Sequence, residues 1–352
     1  MSAEHSAPTP VVAEEVVLPG IVEPDGLVLR RRRLSAPGPG QTLVAVEATG
    51  VSFAEQQMRR GRYYDQPPFP FVPGYDLVGT VVDAGPGVGR ELLGRRVAAL
   101  TKTGGWASHV LLDAADLVPV PDGVPAAEAA TLVVNGLTAW QMLHRSARIR
   151  PGQTVLVHGA NGGVGSTLTQ LARHAGVRVI GTASPRHHDA VRALGAEPVD
   201  YRGNVAARVR ELAPDGVDAV FDHVGGPSIV ESHRLLARGG TLVSYGTAAT
   251  RDETGSSRLP VLLLVARLVW WNARPDGRRA GFFNVWAGRR RPEVFRARLR
   301  EDLGHVFELL VDGVLTAQVA ARFPLDRVGE AMALAESRTV VGKVVLVPMS
   351  TP

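Results

Sequence analysis

The chain has 352 residues, enough for two domains of roughly 100–200 residues each, and its 45% apolar and 21% charged content is that of a soluble globular protein. It contains no cysteine, which excludes disulfides, thiolate nucleophiles, iron–sulfur clusters and every cysteine-containing zinc site. The net charge of +5 comes almost wholly from arginine, Lys102 and Lys343 being the exceptions, and the run Arg30 to Arg33 has no interleaved aromatics, so it reads as a solvated strand edge and no nucleic-acid partner is expected.

In chain order, MSAEHSAPTPVVAEE has no basic and apolar leader pattern, and residues 1–20 read as loosely attached, in a protein expected in the cytoplasm. From Gly26 to about Pro121, short β-like runs alternate with Gly/Pro turns, as in TLVAVEATGVSF, DLVGTVVDAG, GRRVAAL and ASHVLL. No sustained helical period occurs before Ala126. AAEAATLVVNGLTAWQMLHRSA then reads as two helical stretches crossing to a second domain. TVLV, VRVIGTA, PVDY, VDAVFD and TLVSYG follow as strands, separated by the helices of Gly165–Ala175, HHDAVRALG, VAARVRELA and SIVESHRLLARGG. This alternation, with an unbroken apolar Val155–Leu156–Val157, predicts a doubly wound parallel sheet of Rossmann type. LPVLLLVARLVWW, residues 259–271, is too short for a membrane span of about 20 residues and reads as a buried helix or a pocket wall. The closing helix and strand are expected to return to the β-rich first domain. That places a catalytic domain at 1–133 and 320–352 and the nucleotide-binding domain at 134–319.

HGANGGVGSTLTQLARHAG, placed between a buried strand and a helix, is the strongest local signal. Gly159, Asn161, Gly162, Gly163, Val164 and Gly165 would bring backbone close to a pyrophosphate, at a helix start that offers free N–H groups and the positive end of the dipole. An NAD-preferring site needs an acid about 20 residues on, against the ribose 2′-hydroxyl. No acid occurs from Val177 through His188; Ala183 takes that place, followed by Ser184 and Arg186, a hydroxyl and a guanidinium suited to a 2′-phosphate. NADPH is therefore the expected cofactor.

Together, GVSFAEQQMRRGRY, VPGYDLVGTVVDAG, GLTAW, VLVHGANGGVG, GAEPVDY, FDHVGG, LVSYG and VGKVVLV resemble the medium-chain dehydrogenase/reductase superfamily, in its zinc-free quinone oxidoreductase and enoyl reductase branch. The resemblance runs from about Gly26 to Pro348 and implies that the β-rich domain is chaperonin-10-like. The metal cysteine of the zinc branch would fall at Ser52 and its metal histidine at Tyr75, beside a retained acid, Asp76, so no metal is expected. Asp76 is read as a buried structural acceptor. The resemblance further implies that Ser52, Tyr63 and Thr138 face the nicotinamide or substrate, with Tyr63 as proton donor. It places Tyr201 against the 2′-phosphate and Gly246 on the nicotinamide side.

Hydride transfer to a quinone or to the C=C bond of an α,β-unsaturated carbonyl compound follows as the expected reaction. Tyr63, Tyr64, Tyr75, Trp270, Trp271, Phe282 and Phe283 are expected to wall an apolar pocket. The resemblance also implies a homodimer through an edge strand. The competing reading is a nucleotide-binding regulatory or membrane-peripheral protein with little turnover, for which the 259–271 run is the pointer.

Overall fold

The computed structural model describes residues 11–248 and 258–348. Its first element is an antiparallel ribbon of β1 (Val12–Val17) and β2 (Val28–Arg33). From Val11 onward the chain is therefore not loosely attached, contrary to expectation: Ala13, Val16 and Leu18 are fully buried. The reason is cross-strand pairing. Glu14 meets Arg31 at 3.0 Å, and the buried Glu15 carboxylate takes Arg30 and Arg32 at 3.1 and 2.5 Å. The arginine run is an exposed edge, as predicted, with its acids across the ribbon.

The first domain is built on β3 (Gln41–Val51), β4 (Asp76–Ala84), β5 (Arg96–Leu100), β6 (His109–Asp113) and β7 (Val118–Pro119). It contains a helix that the sequence reading missed, α1 (Phe53–Arg59). Two turns are too few for a periodic pattern to register, although Ser52 and Glu55 form the S-x-x-E start signal.

The crossover is α2 (Ala126–Trp140), which continues without a break into a π-helical turn at Gln141–Ala147. It is thus one helical run where two were expected. A division of domains at 133 and 134 cuts through α2, whose buried residues run from Ala127 to Ala139 and which packs on β3, β4 and β5 as well as on the next helix, α3 (Gly163–His174).

The second sheet is formed by β8 (Thr154–Val157), β9 (Arg178–Ala183), β10 (Glu197–Asp200), β11 (Val217–Asp222), β12 (Leu236–Ser244) and β13 (Arg279–Phe282). The order β10-β9-β8-β11-β12-β13, parallel throughout, gives the doubly wound arrangement. The intervening helices are α4 (His188–Ala193), α5 (Val205–Leu212) and α6 (Ser228–Arg234). The helix expected to run on to Gly240 stops at Arg234, because the chain turns into β12 at Leu236 and bulges at Gly239, whose φ is 80°.

The apolar run forms α7 (Arg258–Asn272). Within residues 262–271 the expectation of burial holds only for Leu268 and Trp271; Leu262, Leu263, Val269 and Trp270 are 60% exposed or more. A run apolar on almost every side of a helix must turn one face outward when only one side meets the sheet. After α8 (Pro292–Val311), β14 (Val319–Phe323), α9 (Val328–Ser337) and β15 (Lys343–Leu346) close the chain. β15 pairs with β3, so the C-terminal strands do return to the first domain, completing a seven-stranded sheet.

Candidate functional site

β8 leads into the glycine turn. Gly159 takes a left-handed φ of 65°, and a Cβ there would meet the His223 ring at 2.5 Å. A Cβ on Gly165 would lie 2.1 Å from the Gly159 carbonyl, and one on Gly163 2.3 Å from the Asn135 amide, so these two glycines serve the packing of the turn itself. Gly162 is different: a Cβ there meets only the Gly159 carbonyl at 3.3 Å, leaving its outer side open at the N-terminus of α3. The first-turn N–H groups of Gly163, Val164 and Gly165 have no intrahelical acceptor and carry the positive end of the helix dipole. An open cradle lined by N–H groups fits an anionic pyrophosphate. Asn161 does not face it with its backbone oxygen; that carbonyl accepts the Gly342 N–H at 3.0 Å, tying the turn to the segment before β15.

At the end of β9, Ser184 caps a short turn containing Arg186, and Tyr201 lies beside it, its N–H bonded to the Ala183 carbonyl at 3.4 Å. Tyr201 is half exposed, and Arg186 donates to the Arg338 carbonyl at 2.8 Å. The nearest acid in sequence, Asp189, is turned outward onto Arg192 at 2.6 Å. Arg338, with φ 59° at the end of α9, is a residue the sequence reading missed; no local motif links a position so far along the chain to this rim. Its charge also reaches His223, at the end of β11. Burial first, then charges including Arg338, push that imidazole down to about 4 against the pull of Asp222, so it is neutral at pH 7. A Cβ on Gly246 would meet the His223 backbone oxygen at 2.7 Å, so close packing accounts for that glycine.

The predicted reacting residues lie in the first domain and on α2. Ser52 caps α1, and its Oγ is buried without a hydrogen-bond partner among the described residues. Thr138 is buried on α2. Tyr63 is buried, and its hydroxyl lies 2.8 Å from that of Tyr75. Tyr64 packs at a tilt against Tyr63 with ring centroids 4.8 Å apart and meets Phe282 edge-on at 6.3 Å. The expected aromatic wall needs one correction. Trp270 is exposed and Trp271 stacks on His233 at 4.2 Å, so neither reaches the tyrosines, because α7 lies on the outside of the second sheet. Trp286, not singled out from the sequence, takes that place and donates its indole N–H to the Tyr75 hydroxyl at 2.5 Å.

Below this cluster lies a buried charge group. Asp76 accepts the Gly50 N–H at 3.2 Å and the Val134 N–H at 3.1 Å and pairs with Lys343 at 2.5 Å, confirming it as a structural acceptor. Glu55 accepts the N–H groups of Tyr75 (2.7 Å) and Ser52 (3.0 Å). Burial, and then the neighbouring Asp76, push Glu55 up to about 7 in spite of Lys343. No group of three His, Asp or Glu side chains with metal-binding geometry occurs among the described residues.

Residues 38–122 match the alcohol dehydrogenase GroES-like domain and residues 194–346 the zinc-binding dehydrogenase family model. The synaptic vesicle membrane protein VAT-1 homolog of Rattus norvegicus is 34% identical over 325 residues, 89% of this chain and 78% of that one. The chain belongs to the medium-chain dehydrogenase/reductase superfamily. Its zinc-free branch is the one that fits, since the chain lacks the cysteines that the second family description implies. The mycocerosic acid synthase-like polyketide synthase of Mycobacterium tuberculosis is 33% identical over 318 residues, 88% of this chain but 14% of that one. Among solved structures, a Pseudomonas syringae quinone oxidoreductase superposes with a TM-score of 0.83 at 28% identity, covering 96% of this chain and 100% of that one. A mycobacterial protein solved with NADPH superposes with a TM-score of 0.80 at 30% identity, covering 96% and 100%. The two-domain architecture of a chaperonin-10-like β domain and a Rossmann-type domain is that of this superfamily.

Proposed function

We propose that the protein is an NADPH-dependent reductase of conjugated carbonyl compounds, acting on a quinone or on the C=C bond of an enone. The observation that carries this reading is the buried Tyr63–Tyr75 hydroxyl pair among aromatic rings, in a chain without the cysteines of a catalytic zinc site. A hydroxyl donor is a weaker electrophile than a metal ion, so it suits a substrate whose conjugation already lowers the barrier to hydride addition.

When bound, the reduced nicotinamide supplies the hydride. The chain's own residues do the rest. The N-terminus of α3 at Gly162–Gly165 holds the pyrophosphate, and Ser184, Arg186 and Tyr201 hold the 2′-phosphate at the rim that lacks an acid. Ser52, Thr138 and Gly246 line the nicotinamide side. Tyr63 presents its O–H to the substrate oxygen or carbon. The NADPH-bound mycobacterial relative and the quinone oxidoreductase support the assignment.

We also read the protein as a cytoplasmic homodimer. Among the described residues β13 is the edge strand of its sheet, and α7 beside it exposes Leu262, Leu263, Val269 and Trp270 in one apolar face. An edge strand and an apolar patch together call for a partner, and a second copy buries both. The same face supports the membrane-peripheral alternative, although no helix among the described residues is long and apolar enough to cross a membrane.

The test is a steady-state screen of quinones, enones and enoyl thioesters with NADPH and with NADH, with product analysis separating C=C from C=O reduction. Turnover with NADPH is expected, and Ser184→Ala with Arg186→Ala should erode the preference for NADPH. Turnover of simple alcohols or saturated ketones alone overturns the substrate class, and tighter binding of NADH overturns the cofactor.

A further inference from the structure

The hydroxyl cluster has one bond whose direction is fixed. An indole nitrogen can only donate a hydrogen bond, whereas a phenol can donate one and accept others. Trp286 Nε1 lies 2.5 Å from the Tyr75 hydroxyl, so Tyr75 must accept there. The Tyr75 and Tyr63 hydroxyls, 2.8 Å apart, share one further bond. Three hydrogens are available (one indole N–H and two phenol O–H) and two bonds use them. One O–H hydrogen is left over. Tyr63 is 9% exposed and Tyr75 5%, so bulk water is a poor recipient. A buried donor without an acceptor is costly, and such groups mark places where a ligand completes the set.

The cluster also spans both halves of the molecule. Tyr75 immediately precedes β4 of the first sheet, while Trp286 follows β13 of the second. The indole is held in place: it stacks on Phe295 with centroids 6.0 Å apart and carries Arg289 on its ring at 4.9 Å. Its N–H is therefore aimed by packing from the second domain at a hydroxyl of the first.

We propose that Trp286 and Tyr75 are positioning residues that turn the surplus phenol hydrogen toward the carbonyl oxygen of the substrate, making Tyr63 an oxygen-stabilising donor. This rests on the reading of the protein as a reductase of conjugated carbonyls. When hydride from the reduced nicotinamide adds to the β-carbon, the C=C pair shifts toward the carbonyl and an enolate forms. The Tyr63 O–H holds the enolate oxygen by a hydrogen bond without giving up its proton. Water then supplies the proton to the α-carbon, so that hydride and proton together make the saturated product. For a quinone, the same donor holds the oxygen that becomes a phenolate. Burial raises both phenols far above the ordinary tyrosine range, which favours lasting donation over proton release.

The test uses full-length protein and two readouts. Without cofactor, p-(dimethylamino)cinnamaldehyde reports hydrogen bonding to its carbonyl by a red shift of its absorption band. The wild type should redden the bound probe, Tyr63→Phe should abolish the shift, and Trp286→Phe should reduce it while the probe stays bound. With NADPH and the best enone or quinone, Tyr63→Phe should lower kcat by ~10²-fold, and Trp286→Phe by ~10-fold with little change in KM. The double variant should be no slower than Tyr63→Phe alone, because Trp286 acts through Tyr63. Multiplied losses in the double variant, or an unchanged probe shift in Trp286→Phe, overturn the proposal. If the Phe variant does not fold, benzothienylalanine at position 286 keeps the ring shape and removes only the N–H, and the same outcomes apply. A reddened probe without turnover of any conjugated carbonyl would instead refute the proposed function and leave the donor chain standing.

Discussion

Lys343→Met removes the one cation that, among the described residues, touches the fully buried Asp76 carboxylate. Lys343 is 3% exposed and Asp76 0%; their 2.5 Å pair is supplemented by a 3.4 Å contact from the ammonium to the Ala130 carbonyl. Without the lysine, Asp76 keeps only the N–H groups of Gly50 and Val134, both beyond 3.0 Å. Removing one partner of a buried pair costs about 3–5 kcal/mol, since the remaining charge is left unpaired. Glu55 decides how the cost varies with pH. Lys343 holds it lower than burial and Asp76 alone would. In the variant, Glu55 must keep its proton to higher pH or stand ionised beside an uncompensated Asp76. The destabilisation should therefore be about 4 kcal/mol at pH 8 and smaller at pH 5, where Glu55 is neutral in both proteins. Urea unfolding at the two pH values measures this, with cofactor titration as a second readout, because Gly342 next door anchors the glycine turn through Asn161. A loss below about 1 kcal/mol at pH 8, in the range of an exposed pair, would refute the reasoning, as would a loss that does not change with pH.

Glu55→Gln should flatten the pH dependence of stability. The carboxyl is raised from 4.5 to about 7, so its contribution is fully present below about 4.5 and is lost as pH rises through 7; the wild type should lose about 3 kcal/mol more than the variant across that window, by urea unfolding. Equal slopes for the two proteins would exclude Glu55 as the titrating group. Trp270→Glu, at a side chain 60% exposed, should leave the fold intact and shift sedimentation from dimer to monomer. A dimer that persists in the variant places the seam elsewhere, and a wild-type monomer that floats with anionic vesicles favours the peripheral-membrane reading.

The second domain was legible because its signals are local. Val155–Leu156–Val157 is apolar on both faces, as a central parallel strand requires, and Gly162 and Gly163 follow at once before a helix. α1 escaped notice because two turns carry no period, and the N-terminal ribbon because its partner lies beyond a turn. The exposure of α7 was also hidden: an apolar run states that a helix has something to bury, not which side the sheet covers. The candidate-site residues divide in the same way. Ser184, Arg186 and Tyr63 sit in short motifs and could be named. Trp286 and Arg338 reach the site only through tertiary placement, 211 residues from Tyr75 in one case and 152 from Arg186 in the other.

The buried charge group makes this chain more than a zinc enzyme without its ligands. Deleting a cysteine and a histidine would leave the acid next to them, Asp76, buried without a cation, a state costing several kcal/mol. Here that acid is neutralised from within the chain. Lys343 enters from β15 and passes Gly50, where a Cβ would lie 1.8 Å from the lysine Cε, so the glycine is what admits the side chain. Tyr75, next to Asp76, points its hydroxyl the other way, toward Tyr63 and Trp286. One dipeptide thus separates two tasks that a metal would combine: Asp76 and Lys343 settle the charge balance inside the domain, and Tyr75 joins the proposed neutral donor chain with Tyr63 and Trp286. A neutral donor carries no net charge to desolvate and no fixed cation to compete with the oxidised nicotinamide. It is also too weak to activate an isolated carbonyl strongly. On the proposed function, the same replacement of a metal by a neutral donor narrows the substrates to molecules whose own conjugation does most of the activation.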